Sequence, residues 1–365
     1  MELQAFINDN SDYLEKMKEY GFCVKNYNKL GLSLVKNEYN KEIICDENES
    51  WKLDCKSVLI NSKTHQIVSL SPQKSQKIDS EHFQDALNYE KITESTEIQQ
   101  LIDGTMINVV HHNDEWIIQS RSEIGGHNRN YQCPQFKKLF DECCMNRSYD
   151  ELQMNHCYSF VMRHTKNRIV TPVHKDMVVL VDVFEKETNR RLPNQEIVSL
   201  YGEYDWFETI TNVSLSELTD IQGLPWHCKG YTFRTDGRRY TWINPKYKYV
   251  LDLTMNQMNP CFHYIQLRQN GQCSEYLKYY PEKKHQYMNF RDKIHKMTNE
   301  LYSIYKNIRI HKTLPIESCP FQLKPLLFKL HKIYLDTKKP ISWKDMTEFV
   351  HKLDPKQLTF VLNYY

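Results

Sequence analysis

The segment QQLIDGTMINVVHHNDEWIIQSRSEIGG, Gln99 to Gly126, decides how the chain is read. Thr105–His111 and Trp116–Arg121 are strand-length runs rich in Val, Ile, Thr and Trp, and they flank Asn113-Asp114. Asn and Asp tolerate the left-handed angles of a two-residue hairpin turn, so the pattern predicts two antiparallel strands. Asp103-Gly104, just upstream, reads as a second turn. Working outward, Ser57–Leu70, Met177–Phe184, Gly230–Arg234 and Arg239–Ile243 have the same strand character, with Asp236-Gly237 joining the last pair. Between them, SEHFQDALNYEKITESTEIQQLI (80–102) and CPQFKKLFDECCMN (133–146) carry helical spacing. The expectation is an α+β domain with mixed, mainly antiparallel sheets.

Beyond about residue 268 the alternation gives way to helices. Phe290, Ile294, Met297, Leu301, Ile304 and Ile308 step by four and three, which puts all six on one helical face. Pro281 stands where it can open this helix, and Pro315 closes the region. A second helix runs from Pro325 through Leu327, Leu330 and Tyr334. A third follows Ser342, whose hydroxyl can cap it while Asp345 reaches back, and it buries Met346, Phe349, Val350 and Leu353. Two domains are therefore expected, 1–268 and a helical 269–365.

Composition excludes several classes. Of 365 residues, 40% are hydrophobic and 26% charged, ordinary values for a globular chain and against extensive disorder. Net charge is +2, so nucleic acid would have to be held by a local patch rather than a global field. The start, MELQAFINDNSDYLEKMKEYGF, fits neither a signal nor a transit peptide, and no run approaches the roughly 18 apolar residues of a membrane span. The expected location is the cytoplasm, with the eleven cysteines mostly reduced. Cys133, Cys143, Cys144, His156 and Cys157 lie close in sequence but lack the short ligand spacing of a zinc knuckle, so no metal site is expected.

Four blocks, in order, resemble the phage-type ATP-dependent RNA ligases of the nucleotidyltransferase superfamily. KSVLINSKTHQIVSLSPQKSQK (Lys56–Lys77) resembles the strand pair with a trailing lysine that precedes their active site. LIDGTMINV is similar to their nucleophile strand, YSFVMRHTKNRIV (Tyr158–Val170) to their third motif, and KGYTFRTDGRRYTWINPKY (Lys229–Tyr247) to their paired fourth and fifth motifs. The helical tail also has a counterpart there. The resemblance covers about residues 55–250 and implies an RNA/DNA ligase-like domain followed by a helical one. It further implies chemistry in which a lysine attacks the α-phosphate of ATP, carboxylates support Mg²⁺, and lysines face the phosphate.

The side chains that this chemistry needs are replaced. The nucleophile position is Leu101; the third-motif carboxylate corresponds to Ser159 and the fourth to Lys229; the fifth-motif lysines correspond to Thr241 and Ile243. Lys229 inverts the charge at a metal-supporting position and would repel Mg²⁺. Landmarks that remain are Asp103-Gly104, Asn167, Arg168 and Gly230. Arg121, Arg168, Arg234, Arg238, Arg239, Lys246 and Lys248 are expected to line the former cleft or, equally, to sit on a solvated surface. Tyr231, Tyr240, Trp242, Tyr247 and Tyr249 interleave with these cations, some offered to bases and some in the core.

The reading is a catalytically degenerate ligase-like protein, as found in large DNA viruses, that binds RNA or a nucleotide. It would use Asp103 and these cations, with no cofactor and no metal. One alternative is an active ATP- and Mg²⁺-dependent RNA ligase using Lys74 or Lys229 as a relocated nucleophile. The other is a viral structural or assembly protein, virion-associated, that meets a protein partner through the old cleft or the helical domain. No membrane partner is expected.

Overall fold

The structure is a computed structural model and describes residues 2–38, 43, 49–78, 96–128, 133–218, 221, 223–235, 237–257 and 259–365. The chain forms two compact units, Met1–Tyr249 and Val250–Tyr365. The first is mixed α+β and the second is helical.

The first unit opens with α1 (Glu2–Asp9) and α2 (Tyr13–Glu19), followed by β1 (Phe22–Tyr27), β2 (Leu32–Asn37), α3 (Trp51–Asp54), β3 (Val58–Asn61) and β4 (Ile67–Ser69). The four strands form one antiparallel sheet in sequential order. The expected strand Ser57–Leu70 is two strands, because His65 takes a left-handed conformation (φ 59°) in the turn between them. Then come β5 (Gln76–Ile78), β6 (Glu97–Gln100), β7 (Thr105–His112), β8 (Glu115–Ser120), β9 (Glu123–Ile124), α4 (Phe136–Cys143), β10 (His156–Arg163), β11 (Met177–Glu185), α5 (Asn194–Tyr201) and β12 (Glu208–Thr209). The expected helix over 80–102 falls largely outside the described residues, and its last part is strand β6.

A six-stranded sheet, β12-β11-β10-β7-β8-β9, is antiparallel except for β11/β12. Asn113 (φ 50°) and Asp114 (φ 62°) make the β7–β8 turn, both left-handed as that hairpin type requires. Strand alternation sends Tyr158, Phe160 and Met162 of β10 with Ile107 and Val109 of β7 into an aromatic-rich core under α4 and α5. The other face carries Met106, Asn108, Ser159 and Val161. Strands β13 (Gly230–Thr235) and β14 (Arg238–Ile243) pair antiparallel, and with β5 and β6 they form a third sheet, β5-β14-β13-β6. Gly237 of the expected Asp236-Gly237 turn has φ 71°, while Asp236 lies outside the described residues.

α6 (Pro245–Asp252) leads into α7 (Pro260–Gln269), α8 (Cys273–Tyr279), α9 (Lys284–Tyr305), α10 (Lys324–Thr337), α11 (Trp343–His351) and α12 (Pro355–Leu362). The second compact unit begins at Val250, before the 268/269 boundary read from the pattern, because α7 packs on α9 and α12. Ile294, Met297 and Leu301 are buried on one face of α9. Ser342 and Asp345 form the reciprocal capping box at the start of α11. No helix among the described residues is long and apolar enough to cross a membrane.

Candidate functional site: a cationic cleft between two sheets

A cleft of about 410 Å³ lies in the first unit. Its floor is Met106, Val161, Val181 and Asp182 of the six-stranded sheet. One wall is Thr232, Arg234, Arg239, Thr241 and Ile243 of β13 and β14. Alternation explains the division of labour on that wall. Thr232 and Arg234 stand opposite Thr241 and Arg239 in register and face the cleft, while Tyr231, Phe233 and Trp242 point the other way into a separate small core. The rings expected to interleave with the cations therefore do not line the cleft.

Leu101, Lys229, Thr241 and Ile243 all line this one cavity although they are far apart in sequence. Ser159 does not reach it. Its hydroxyl is fully buried and donates to Asn108 Oδ1 (3.0 Å), and Asn108 in turn donates to Ser71 (2.6 Å). Val161, two residues on and on the same face, fills the floor instead. Lys74 is also absent from the lining, which the same segment supplies through Pro72 and Ser75.

Asp103 ties the loop between β6 and β7 together. Its carboxylate accepts from the backbone N–H groups of Val170 (2.9 Å) and Thr171 (2.8 Å) and from the Tyr247 hydroxyl (2.6 Å). The Lys229 ammonium lies 3.7 Å from the same carboxylate and donates to the Ile102 carbonyl at 3.4 Å. Burial lowers the Lys229 pKa, and Asp103 opposes that shift. Two glycines let the strands approach. A Cβ on Gly104 would sit 2.4 Å from the Met162 carbonyl oxygen, and one on Gly230 (φ 135°) 2.1 Å from that of Trp242.

Deeper in the wall is a buried ion network. Arg234 donates to Asp182 (2.6 Å) and Arg191 to Glu97 (2.5 Å), and Arg191 also bonds Asp182. Burial alone would raise the Asp182 pKa, but Arg191 and Arg234 hold it below its ordinary value. Arg239 is left over: it donates to the Gln73 carbonyl (3.3 Å), and its Nε has no partner. Burial, then repulsion from Arg234, pushes its pKa down to about 9. The Thr241 hydroxyl is likewise buried without a partner.

Sequence reasoning missed Lys56, which lines the cleft at the foot of β3. Burial and the cations Arg239, Arg121 and Lys229 hold its pKa well below the usual lysine value, with Asp182 the opposing charge. No carboxylate among the described residues lies within ion-pair distance of it. The signal was available, since Lys56 opens the block that ends at Lys77, but a charged residue beside a buried strand gave no sign of facing inward.

The other expected cations lie elsewhere. Arg121 donates to the Asn37 backbone carbonyl and side chain (3.0 and 3.1 Å), and Arg168 to the Val170 carbonyl (2.9 and 2.8 Å) while facing Trp226. Arg238 borders a neighbouring cavity with Asp54 and Glu97. Lys246 and Lys248 are exposed on α6. Of the two places expected for Arg234 and Arg239, a cleft lining and a solvated surface, both take the first: their side chains are turned inward, Arg234 by its pairing with Asp182 and Arg239 by its place in β14.

The donor set does not fit a divalent cation. Asp182 is the one carboxylate among the described residues that lines the cleft and is already held by two guanidinium groups, while Asp103 is saturated by three donors and an ammonium. Among the described residues, no group of three or more His, Cys, Asp or Glu is placed to hold a metal ion. Within the cysteine-rich stretch, Cys143 is buried, which pushes its thiol up to about 12, and His156 bonds Tyr201 (2.5 Å). What the cleft can do is hold an anion.

No family model matches the chain, and no curated protein matches it. Among solved structures it is similar to an archaeal ATP-dependent RNA ligase (form 1), with 12% identity and a TM-score of 0.44, over 70% of this chain and 65% of that one. Form 2 of the archaeal ligase gives 15% identity and a TM-score of 0.44, over 81% and 79%. A Naegleria gruberi RNA ligase mutant with ATP and Mn gives 15% identity and a TM-score of 0.36, over 48% and 57%. At these identities the likeness is one of fold alone.

Proposed function

We propose that the first unit is a degenerate nucleotidyltransferase-type domain that binds the phosphates of a nucleotide in its cleft and forms no covalent adenylate at position 101. The observation that carries this reading is the uncompensated charge of the cleft. Lys56, Lys229, Arg234 and Arg239 line the cleft with Asp182, and Arg191, Glu97 and Asp103 lie beside it, a formal excess of two positive charges when all five cations are protonated, in a partly desolvated space. Such an excess is costly to leave unpaired and is relieved by a polyanion. The Arg239 Nε and the Thr241 hydroxyl are buried in the cleft wall without partners, donors that a phosphate would satisfy once the wall shifts to admit it. The motif resemblance supplies the nucleotide, and Leu101 supplies the absence of an amine where that motif has one.

A second reading rests on Lys56 and Lys229. Both amines line the cleft, and burial favours the neutral form of each. A neutral amine can attack the α-phosphorus of ATP, forming an N–P bond as the bond to the β-phosphate breaks and pyrophosphate leaves, so an ATP-dependent RNA ligase with a displaced nucleophile remains the competing proposal. One experiment separates the two. The protein is incubated with ATP labelled at the α-phosphate, with and without Mg²⁺, and both reversible binding and covalent label are measured. The first reading expects saturable binding, weakened about tenfold or more by Lys56→Met with Arg239→Gln, and no adduct. An adduct mapped to Lys56, Lys229 or Lys74 establishes the second, and absence of binding removes both.

A further inference from the structure

The net charge of +2 conceals an opposition between the two units. Val250–Tyr365 holds 18 Lys and Arg against 10 Asp and Glu, a formal +8, which leaves 30 against 36, or −6, in Met1–Tyr249. The helical unit is therefore strongly basic by itself, and its field reaches solvent wherever cations are exposed.

On this unit, cations and aromatic rings share a face around the end of α9. The helix widens into a π-helical turn, Lys306–Ile310, closed by the His311 N–H donating to the Lys306 carbonyl at 2.8 Å. Widened turns of this kind re-aim side chains and are frequent at functional sites. Here the turn sets the Lys306 ammonium 5.2 Å over the Tyr302 ring, which meets Trp343 edge-on at 5.4 Å. It also sets Arg309 5.9 Å from the Phe328 ring, with the guanidinium Nε unpartnered. Phe328 is 54% exposed and Trp343 44%. Phe328 thus stands exposed beside a cation, and Trp343 stands exposed against a ring that a cation covers, an arrangement that offers flat faces next to positive charge. α10 continues the face with exposed Lys332, and Lys338 and Lys339 follow its end, against the single acid Asp336 on that helix.

We propose that this face binds single-stranded nucleic acid, with bases stacking on Phe328 and Trp343 and phosphates meeting Lys306, Arg309 and the lysines at the end of α10. Every base has a π-face, so ring and cation in alternation suit a single strand of any sequence. A protein partner would have to be both acidic and apolar over the same area, whereas a polynucleotide is both along its whole length. The proposal is independent of the cleft reading, because it uses residues of the helical unit alone.

The test uses the full chain and fluorescein-labelled oligouridylate and oligothymidylate of about 20 nucleotides, followed by anisotropy between about 50 and 200 mM salt. Affinity is expected to fall with log salt at about −0.7 per phosphate neutralised. Lys306→Glu with Arg309→Glu and Lys332→Glu should reduce affinity at least about tenfold and flatten that slope. Phe328→Ala with Trp343→Ala should reduce affinity about tenfold with the slope retained. Thermal unfolding confirms that each variant is folded, and the exposed Lys332→Glu, Lys338→Glu, Lys339→Glu triple variant repeats the charge test without touching the packed turn. No binding at low salt, or wild-type affinity in the folded variants, overturns the proposal. Loss of binding on Lys56→Met alone would assign the strand to the cleft and overturn it equally. Retention of an acidic protein by this face without oligonucleotide binding would make it a protein interface.

Discussion

Asp103 ties three segments of the first unit together. Its carboxylate carries three hydrogen bonds and faces the Lys229 ammonium, all in a buried loop. Asp103→Ala leaves two backbone N–H groups and a hydroxyl without their acceptor and an ammonium without its counterion. It should cost about 3–5 kcal/mol of stability, measured as the urea midpoint. A loss under about 1 kcal/mol would mean that water replaces the carboxylate freely. Gly230→Ala should also destabilise, since its Cβ would meet the Trp242 carbonyl oxygen at 2.1 Å and backbone must move. An amine at position 101, where the motif resemblance expects one, should not create a nucleophile. Leu101→Lys places a third lysine in the cleft that Lys56 and Lys229 line, with no free carboxylate among the described residues there to support a metal, so labelled ATP should leave no adduct on it. Asp103, Gly104 and Gly230 were legible in the sequence because turn and close-approach residues are chemically distinctive. Lys56 and Ser159 were not, because the side of a strand that faces a cavity depends on which sheet comes to cover it.

The hairpins at Asn113-Asp114 and near Gly237, and the long helix α9, were legible because their signals are local: left-handed turn residues and a three–four apolar spacing. The first sheet was not read beyond β3 and β4. β1 is amphipathic only weakly, with little of it buried, and its pairing with β2 is set by a turn of Asn28, Lys29, Leu30 and Gly31 that contains no paired Asn-Gly signal. In the helical unit one element that answers to pH is α7. His263 Nε2 donates to the Leu253 carbonyl (2.8 Å), which leaves Nδ1 to accept from the Tyr287 hydroxyl (2.9 Å). Burial lowers its pKa below the ordinary value, the Leu253 carbonyl opposes that shift and Lys283 adds to it, so the fold holds the ring neutral. The unfolded chain then binds the proton more readily. The stabilisation is complete above about pH 6.5 and is lost as pH falls through the folded-state pKa. Helical content followed by far-ultraviolet circular dichroism should melt at lower temperature as pH drops below that value. His263→Gln should flatten the dependence. An unchanged profile in the variant would assign the acid sensitivity to other groups.

For the molecule as a whole, two compact units of opposed charge predict separate thermodynamic behaviour. The first unit is built on three sheets with their own hydrophobic clusters, and the second on helices that pack with one another. The boundary read near 268 came from a change in pattern. The structure divides earlier, at 249, because membership of a core follows what α7 packs against, which periodicity alone does not reveal. Calorimetry of the full chain should resolve two unfolding transitions rather than one. Acidification below about pH 6.5 should lower both transitions, the helical one through His263 and the sheet-rich one through His112 and His156, whose pKa values burial also lowers. Ligands should divide in the same way. ATP at about 100 times its dissociation constant should stabilise only the sheet-rich transition, by about 2.7 kcal/mol, and an oligouridylate only the helical one. The oligouridylate effect should fade with salt, as counterion release demands, while the ATP effect should fade less, because the cleft charges are shielded from solvent. A single cooperative transition raised by either ligand would mean that the two units unfold as one body, and the assignment of the two anions to different units would then have to rest on the variants alone.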